Sequence, residues 1–432
     1  MKTTTMTRLA RMLLAAALLT TLPVHAKNGA TATEVPGEIL VQLRTSGAIQ
    51  PLLNRYGLSV VSQFGTRPIY RLKVVGNADT HDRIASLEAE PDVLLAEVNA
   101  IQQSPESKKN GAWSIGDPSA YVAQWAPQAM RLADAQRLST GAGVRVAVLD
   151  SGVDRSHPAL AGRLLPGFDF VDFDNDPSEV GNRVNNPSFG HGTHVAGLVA
   201  LVAPDARILP LRVLDANGQG SAWAIAQAIL YAIDPDGNPA TDDGAKVINL
   251  SLGTGTRTRI VDTIEKLASC GAADAAVADT SDAGYADDRS RCARFGGALL
   301  IAAAGNDGSS SVKEYPAAEG AHGLIAVTAS TAASRLAPFG NSGSWVMVAA
   351  PGDGITSTVP GSGFGTWSGT SMAAPLLAGT AALLRSARPD LSTDDAVRRL
   401  TRVGGNLCGS PLRVVDAYAV LTNTVPAERS CR

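Results

Sequence analysis

Apolar and polar positions follow three different patterns along this chain, and each predicts its own kind of element. At the start, Lys2, Arg8 and Arg11 precede a short apolar run from Met12 to Leu22. Val24-His25-Ala26 then offers small residues at the two positions a signal peptidase inspects. The run is shorter than the roughly 20 apolar residues that a spanning helix needs. Residues 1–26 therefore predict a cleaved signal peptide, and a mature chain that is exported (extracellular or periplasmic) and free of the membrane. From Glu34 the pattern changes. Glu38 to Arg44 alternates as a strand, Ala48 to Arg55 can form a short helix, and Leu58 to Phe64 and Ile69 to Val75 are again strand-like. Asp79 opens a helix as its N-cap, with Ile84 and Leu87 on one face, and the helix stops at Pro91. Val93 to Val98 closes the series, so residues 34–103 predict a small ferredoxin-like α+β domain.

Periodicity is lost over residues 104–116, where Ser-Pro-Glu-Ser-Lys-Lys-Asn-Gly is polar, turn-rich and open to proteolysis, as a linker is. Over residues 117–432 apolar strands alternate with helical segments. Strands are predicted at Val144–Asp150, Arg207–Leu214, Val247–Leu252, Ala298–Ala303, Ile325–Ala329 and Val346–Ala350. Helices are predicted at Gly192–Leu201, Ala222–Ala232, Ile260–Ala268, Ser371–Ala387 and Thr393–Leu400. This alternation is the signature of an α/β domain with a mostly parallel sheet and helices on both faces.

Composition adds little to that picture, and charge removes one class of function. The 432 residues are 45% hydrophobic, enough for the core of two or three modules. A net charge of −3 leaves no basic patch, so nucleic acid is not an expected partner. Four cysteines in an exported chain predict two disulfides. Three pairings are open, and proximity favours Cys270–Cys292 and Cys408–Cys431. Each closes a loop worth about 3 kcal/mol in the loop-entropy account. No pair has the spacing of a zinc site.

Candidate chemistry sits in three segments. Val146-Ala-Val-Leu-Asp150 is an apolar strand that ends in an acid, where α/β ligand sites form. Phe189-Gly-His191-Gly-Thr-His194 places a histidine between glycines as a helix begins. Gly365-Thr-Trp-Ser-Gly-Thr-Ser371-Met-Ala-Ala-Pro375 puts a serine at the start of an Ala-rich helix, with Pro375 expected in the first turn. A helix N-terminus favours developing negative charge. A serine hydroxyl needs a base to take its proton, and that base needs an acid to fix its tautomer. A nucleotide-binding reading would want Gly-x-Gly-x-x-Gly after the first strand, which Asp150-Ser-Gly-Val-Asp154 does not supply.

The order Asp, His, Ser and the residues around each resemble the active-site motifs of the subtilisin-like serine proteases, the subtilases, from about Gln124 to Leu421. The resemblance implies a secreted serine endopeptidase acting on polypeptides through an acyl-enzyme, with no cofactor required for catalysis. Asp150 would orient His191, His191 would act as base and then acid, and Ser371 as nucleophile. Ala302-Ala-Ala-Gly-Asn306-Asp-Gly matches the oxyanion segment, so Asn306 would donate its amide to the tetrahedral oxyanion. Gly218, Gln219 and Gly220 match one substrate-binding edge, and Ser251, Leu252 and Gly253 the other. With Ala304 and Gly305 the second edge would wall the pocket for the residue before the scissile bond. Glu314, just before Tyr315-Pro316, would lie at the pocket floor and favour Lys or Arg there. His194 is expected to be a packed structural residue, and His157 to sit in a surface turn.

Gly37-Glu-Ile-Leu-Val-Gln-Leu and Pro91-Asp-Val-Leu-Leu-Ala-Glu-Val-Asn resemble subtilase propeptides. The first module would then be an intramolecular chaperone and inhibitor, cut off between about Asn99 and Asp117. The rival reading is an inactive subtilase-fold scaffold, which would usually lack a triad member or the oxyanion Asn. Three departures from the pattern stand out. Leu198 to Pro204 runs on without the calcium loop of many relatives, which leaves structural calcium open and unassigned, with no metal ligand named. Asp117, the 172–176 acids and the 234–243 acids are oxygen-rich, but none forms an EF-hand loop. The stretch from Cys270 to Cys292 is an insertion without a readable role.

Overall fold

The structure is a computed structural model and describes residues 33–104, 118–271, 283–428 and 431. The expected signal peptide, Asp117 and the expected linker beyond Ser104 lie outside the described residues. The first module runs β1 (Glu34–Leu43), α1 (Ile49–Tyr56), β2 (Leu58–Gln63), β3 (Ile69–Val74), α2 (Thr80–Glu88) and β4 (Val93–Gln103). Local chemistry sets its boundaries. Gly57 takes φ +60° and ends α1 in a left-handed cap. The Asp79 carboxylate accepts from the N–H groups of His81 and Asp82 at 2.9 and 3.0 Å and so starts α2. The strands pair antiparallel in the order β2-β3-β1-β4. Leu52 and Leu87 from the helices pack on Ile39, Val41, Tyr70 and Leu72.

In the second module three short helices, α3 (Pro118–Ala123), α4 (Trp125–Ala129) and α5 (Leu132–Leu138), lead into β5 (Arg145–Asp150). There follow β6 (Phe168–Asp169), α6 (His191–Val202), β7 (Arg207–Arg212), β8 (Gln219–Ser221), α7 (Ala222–Ile233) and β9 (Val247–Leu250). Next come α8 (Arg259–Ala268), α9 (Ala283–Phe295), β10 (Leu299–Ala303), β11 (Leu324–Ser330) and β12 (Val348–Pro351). The chain closes through the hairpin β13 (Ile355–Val359) and β14 (Gly363–Trp367), then α10 (Thr370–Ala387), α11 (Thr393–Arg402), β15 (Gly404–Asn406), β16 (Arg413–Val415) and α12 (Ala417–Thr422).

One sheet in the order β15-β16-β12-β11-β10-β9-β5-β7-β6 organises this module; every pairing is parallel except β15 with β16. Its central strands are buried on both faces, which explains their near-continuous apolar runs. Val146, Val148 and Ile301 face the core shared with α6 and α10. Ala147, Leu149, Ile248 and Leu300 face the other core, under α7 and α8. The structure joins Cys270 to Cys292 and Cys408 to Cys431.

The two modules share a core. Leu40, Phe64, Ile69 and Leu95 of the first pack with Trp223 and Ile260 of the second, and the Phe64 and Trp223 rings lie 4.2 Å apart. Side chains of β4 also cap two helices of the second module. The Asn99 side-chain oxygen accepts from Trp223 N–H at 3.1 Å, at the start of α7. The Glu97 carboxylate accepts from the N–H groups of Arg259 and Ile260, both at 2.9 Å, at the start of α8. A carboxyl group there satisfies orphan donors at the start of the helix. The strand runs past Val98 to Gln103 because its last residues find partners in the second module.

Candidate active site

Because β5 is parallel to its neighbours, its C-terminal end opens on the same edge as the starts of α6 and α10. Asp150 closes β5 and His191 opens α6, and the His191 Nδ1–Asp150 Oδ1 distance is 2.6 Å. Both are fully buried, and Asp150 Oδ1 also accepts from Ser151 N–H at 2.7 Å. Ser371 lies in the first turn of α10, its hydroxyl 3.5 Å from Ser251 O. Pro375 is in the second turn, not the first as expected, because the helix already begins at Thr370. A proline there cannot donate to the carbonyl four residues back, which is that of Ser371. Ser251 Oγ supplies the missing bond at 3.0 Å, and is itself held by Asn249 Nδ2 at 2.9 Å.

Asn306 follows β10. Its side-chain oxygen accepts from Thr370 N–H at 2.9 Å and from the Thr370 hydroxyl at 3.0 Å. The amide is thereby oriented, with its NH₂ as the end turned away from Thr370. The loop beneath is pinned by buried Asn341. Its side chain donates to Ala304 O at 3.0 Å and accepts from the N–H groups of Asp307 and Ser309 at 3.1 and 3.0 Å. Sequence reasoning missed Asn341, which stands in an aperiodic turn with no motif around it.

Glu179 was missed as well. Its carboxylate accepts from Gly190 N–H at 3.1 Å, Thr193 N–H at 2.9 Å and the Thr193 hydroxyl at 3.1 Å. Gly192 N–H donates to Ser151 Oγ at 3.0 Å, and that hydroxyl turns towards Glu179. One carboxylate thus gathers the donors on both sides of His191. Burial, and after it the nearby charge of Asp150, push the Glu179 carboxyl up to about 7 against the pull of those N–H groups. An acid among the polar residues before a helix that starts with His was the available signal.

The expected substrate edges are occupied by the chain's own β4. Ile101, Gln102 and Gln103 pair antiparallel with Ser221, Gly220 and Gln219. Gln103 exchanges both backbone bonds with Gly253 at 2.8 Å, and Ser104 N–H donates to Gly218 O at 3.1 Å. Ser104, expected to open the linker, is instead a buried end of the docked strand. Gly218 has φ +74°, and a Cβ on it would come within 2.2 Å of Ser188 Oγ and 3.0 Å of Ser104 Oγ. Only glycine lets the backbones meet at this point. Leu252 turns its side chain into the core, and Ala304 commits its N–H to Val327 O at 2.9 Å.

Glu314 is buried between Gly253 and Gly305. A Cβ on Gly253 would meet Glu314 Cγ at 2.4 Å, and one on Gly305 would meet Glu314 Cβ at 3.2 Å. The neighbouring bridge of Thr254 with Tyr315 fixes this placement. His194 is buried, stacked on Trp367 at 5.1 Å, with Nε2 3.1 Å from Gly365 O and 3.2 Å from Ile355 O. His157 is also buried, not in a surface turn. Its Nε2 lies 2.9 Å from Gly363 O, and its Nδ1 accepts from Ala159 N–H at 3.2 Å. The turn before Pro158 is covered by the β13–β14 hairpin, which the sequence pattern did not predict.

The acidic stretches divide. Asp172 pairs with Arg212, and Asp176 accepts from Ser178 at 2.6 Å, so both are satisfied by the protein. Asp234, Asp236 and Asp243 bring oxygens within 4.8 Å of one another. There Asp236 accepts from Asn238 N–H at 2.8 Å and Asp243 from Asp236 N–H at 3.0 Å, the bonds of a self-capped turn. No ion is assigned to either stretch.

A parallel sheet that gathers a buried Asp–His pair and a serine at a helix start over one edge is the architecture of an α/β serine hydrolase. The Subtilase family matches residues 141–403, and the Fervidolysin N-terminal prodomain matches residues 22–99. The thermophilic serine proteinase of Bacillus sp. strain AK1 is 36% identical over 367 residues, 82% of this chain and 78% of that protein. The extracellular protease of Xanthomonas campestris is 29% identical over 452 residues, 92% of this chain and 72% of that protein. Fervidolysin from Fervidobacterium pennivorans, a solved structure, is similar with a TM-score of 0.69 and 22% identity. That likeness covers 93% of this chain and 63% of that one, and it speaks to fold alone. The chain belongs to the subtilase family: it is a subtilisin-like serine endopeptidase with an N-terminal prodomain. Among the described residues no helix is long and apolar enough to cross a membrane.

Proposed function

We propose that this chain is exported as a zymogen, cuts itself C-terminal to Ser104, and then hydrolyses polypeptides with Asp150, His191 and Ser371. The modules are a signal peptide over 1–26, a prodomain whose docked strand ends at Ser104, a linker, and a catalytic domain from about residue 117. The observation that carries this reading is residues 101–104 lying between Gly218–Ser221 and Gly253, as an added strand lies on a sheet edge. An inhibitor held this way occupies the place of a substrate, and its continuation is the first bond presented to Ser371.

His191 donates its Nδ1 proton to Asp150, which leaves Nε2 as the base. Nε2 takes the Ser371 proton as Oγ bonds to the scissile carbonyl carbon. The oxyanion is held by the Asn306 amide and by Ser371 N–H. His191 then gives the proton to the leaving amine, and the C–N bond breaks. Water repeats the sequence on the acyl-enzyme, which returns the acid product and the free serine. Glu314 supplies negative charge beside Gly253 and Gly305, so the residue before the cut bond is Lys or Arg.

An activity-based fluorophosphonate is expected to label the wild type on Ser371 and to leave Ser371→Ala unlabelled. A folded, prodomain-free wild-type enzyme that resists the probe contradicts the triad.

A further inference from the structure

The insertion between Cys270 and Cys292 takes no part in the reaction above. Its described portion is in α9, which meets the catalytic domain, where Lys246 Nζ donates to Phe295 O at 3.2 Å, and also the prodomain. Arg67, in the turn between β2 and β3, donates from Nε to Asp288 Oδ2 at 3.0 Å and from Nη2 to Asp288 Oδ1 at 2.7 Å. The same Nη2 lies 3.2 Å from Gly284 O. The guanidinium is 6.0 Å from the centroid of the Tyr285 ring. Gln42, on β1, donates to the Tyr285 hydroxyl at 3.3 Å.

These contacts are largely withdrawn from water. Arg67 and Asp288 side chains are 13% and 10% exposed, and Gln42 and Tyr285 are buried. A forked, desolvated Arg–carboxylate pair is stronger and more specific than a surface pair. The platform is braced from behind. The disulfide ties α9 to the end of α8, and Arg291 donates to Leu267 O at 3.2 Å.

The site lies apart from the cleft. Strand 101–104 competes with substrate for Gly218–Ser221 and Gly253, and it loses that contest as substrate arrives. Arg67, in the β2–β3 turn, and Gln42, on β1, lie outside that strand and keep their partners whatever occupies the cleft. We propose that α9, at Gly284, Tyr285 and Asp288, is a second docking site for the prodomain, which holds the cut prodomain on the enzyme and sets how long it stays.

This rests on the zymogen reading, and the test separates the two. The full chain is produced as wild type, Arg67→Ala, Asp288→Asn, and the swapped pair Arg67→Asp with Asp288→Arg. After self-cleavage, the time for the prodomain fragment to leave is read by the rise of peptidase activity. Removing one partner of a buried charge pair acts mainly on dissociation. Each single change is expected to shorten retention by about tenfold or more, the swapped pair to restore most of it, and the released enzymes to share one kcat. Retention unchanged in both single variants overturns the proposal.

A wild type that is never cut overturns the zymogen reading instead. Docking is then read in the uncut Ser371→Ala chain by amide hydrogen exchange over β1 to β3. Exchange about tenfold faster with Arg67→Ala or Asp288→Asn supports the second site, and unchanged exchange overturns it.

Discussion

At Glu314 a carboxyl side chain is buried against Gly253 and Gly305, where a Cβ on either would collide. A cationic guest side chain would pair with this carboxylate. Wild type is expected to cleave after Lys or Arg at least about tenfold more efficiently, in kcat/KM, than after Leu or Phe. A difference of that size corresponds to about 1.4 kcal/mol of transition-state binding. Glu314→Gln keeps the volume, and is expected to erase the preference with little loss on apolar peptides. Equal cleavage after Lys, Leu and Phe by the wild type would remove Glu314 from the pocket's chemistry. The residues of contiguous motifs were legible at this scale: Asp150, His191, Ser371 and Asn306 each announce themselves with their neighbours. Glu179 and Asn341 were not. Each acts through N–H groups outside its own segment, 11 and 14 residues on for Glu179 and 32 and 34 residues back for Asn341, a relation that only folding creates.

Among the elements, the long apolar strands and Ala-rich helices were read within a few residues of their observed ends. Their periodicity is strong because both faces of the sheet are covered. The β13–β14 hairpin and the β15–β16 pair were missed. They are short and defined by partners more than by propensity. α9 carries many charged residues and has no clean apolar face, so its docking could not be foreseen.

β4 is the element on which the two modules turn. Burial at the α8 terminus pushes the Glu97 carboxyl up to about 7 from its usual 4.5, against the pull of the two N–H donors and Arg259, and with Glu319 adding to the rise. A group whose value is raised on docking binds its proton more tightly in the docked state. Its contribution to docking is complete below pH 4.5 and is lost as pH rises through about 7. Prodomain release is therefore expected to quicken between pH 5 and 8, and Glu97→Gln to flatten that dependence. A wild-type release rate constant across this range would contradict the assignment.

On the scale of the whole molecule, one hydrophobic cluster runs through both modules, and β8 of the second extends the sheet of the first beside β4. A slow, non-local parallel sheet gains from such a template. The two-module plan was legible from the change of period near residue 104. How the modules dock was not, because Phe64 on Trp223, Asn99 on α7 and Glu97 on α8 are contacts between distant segments. All of it converges on one claim, that the strand in the cleft is presented to Ser371 for cutting. The most direct measurement is intact mass on the purified full chain and its Ser371→Ala variant after equal incubation. The account predicts a wild type split into two fragments, with the new N-terminus after Ser104 and before Pro118, and an uncut variant. A Ser371→Ala chain that splits at the same bond and rate would contradict it.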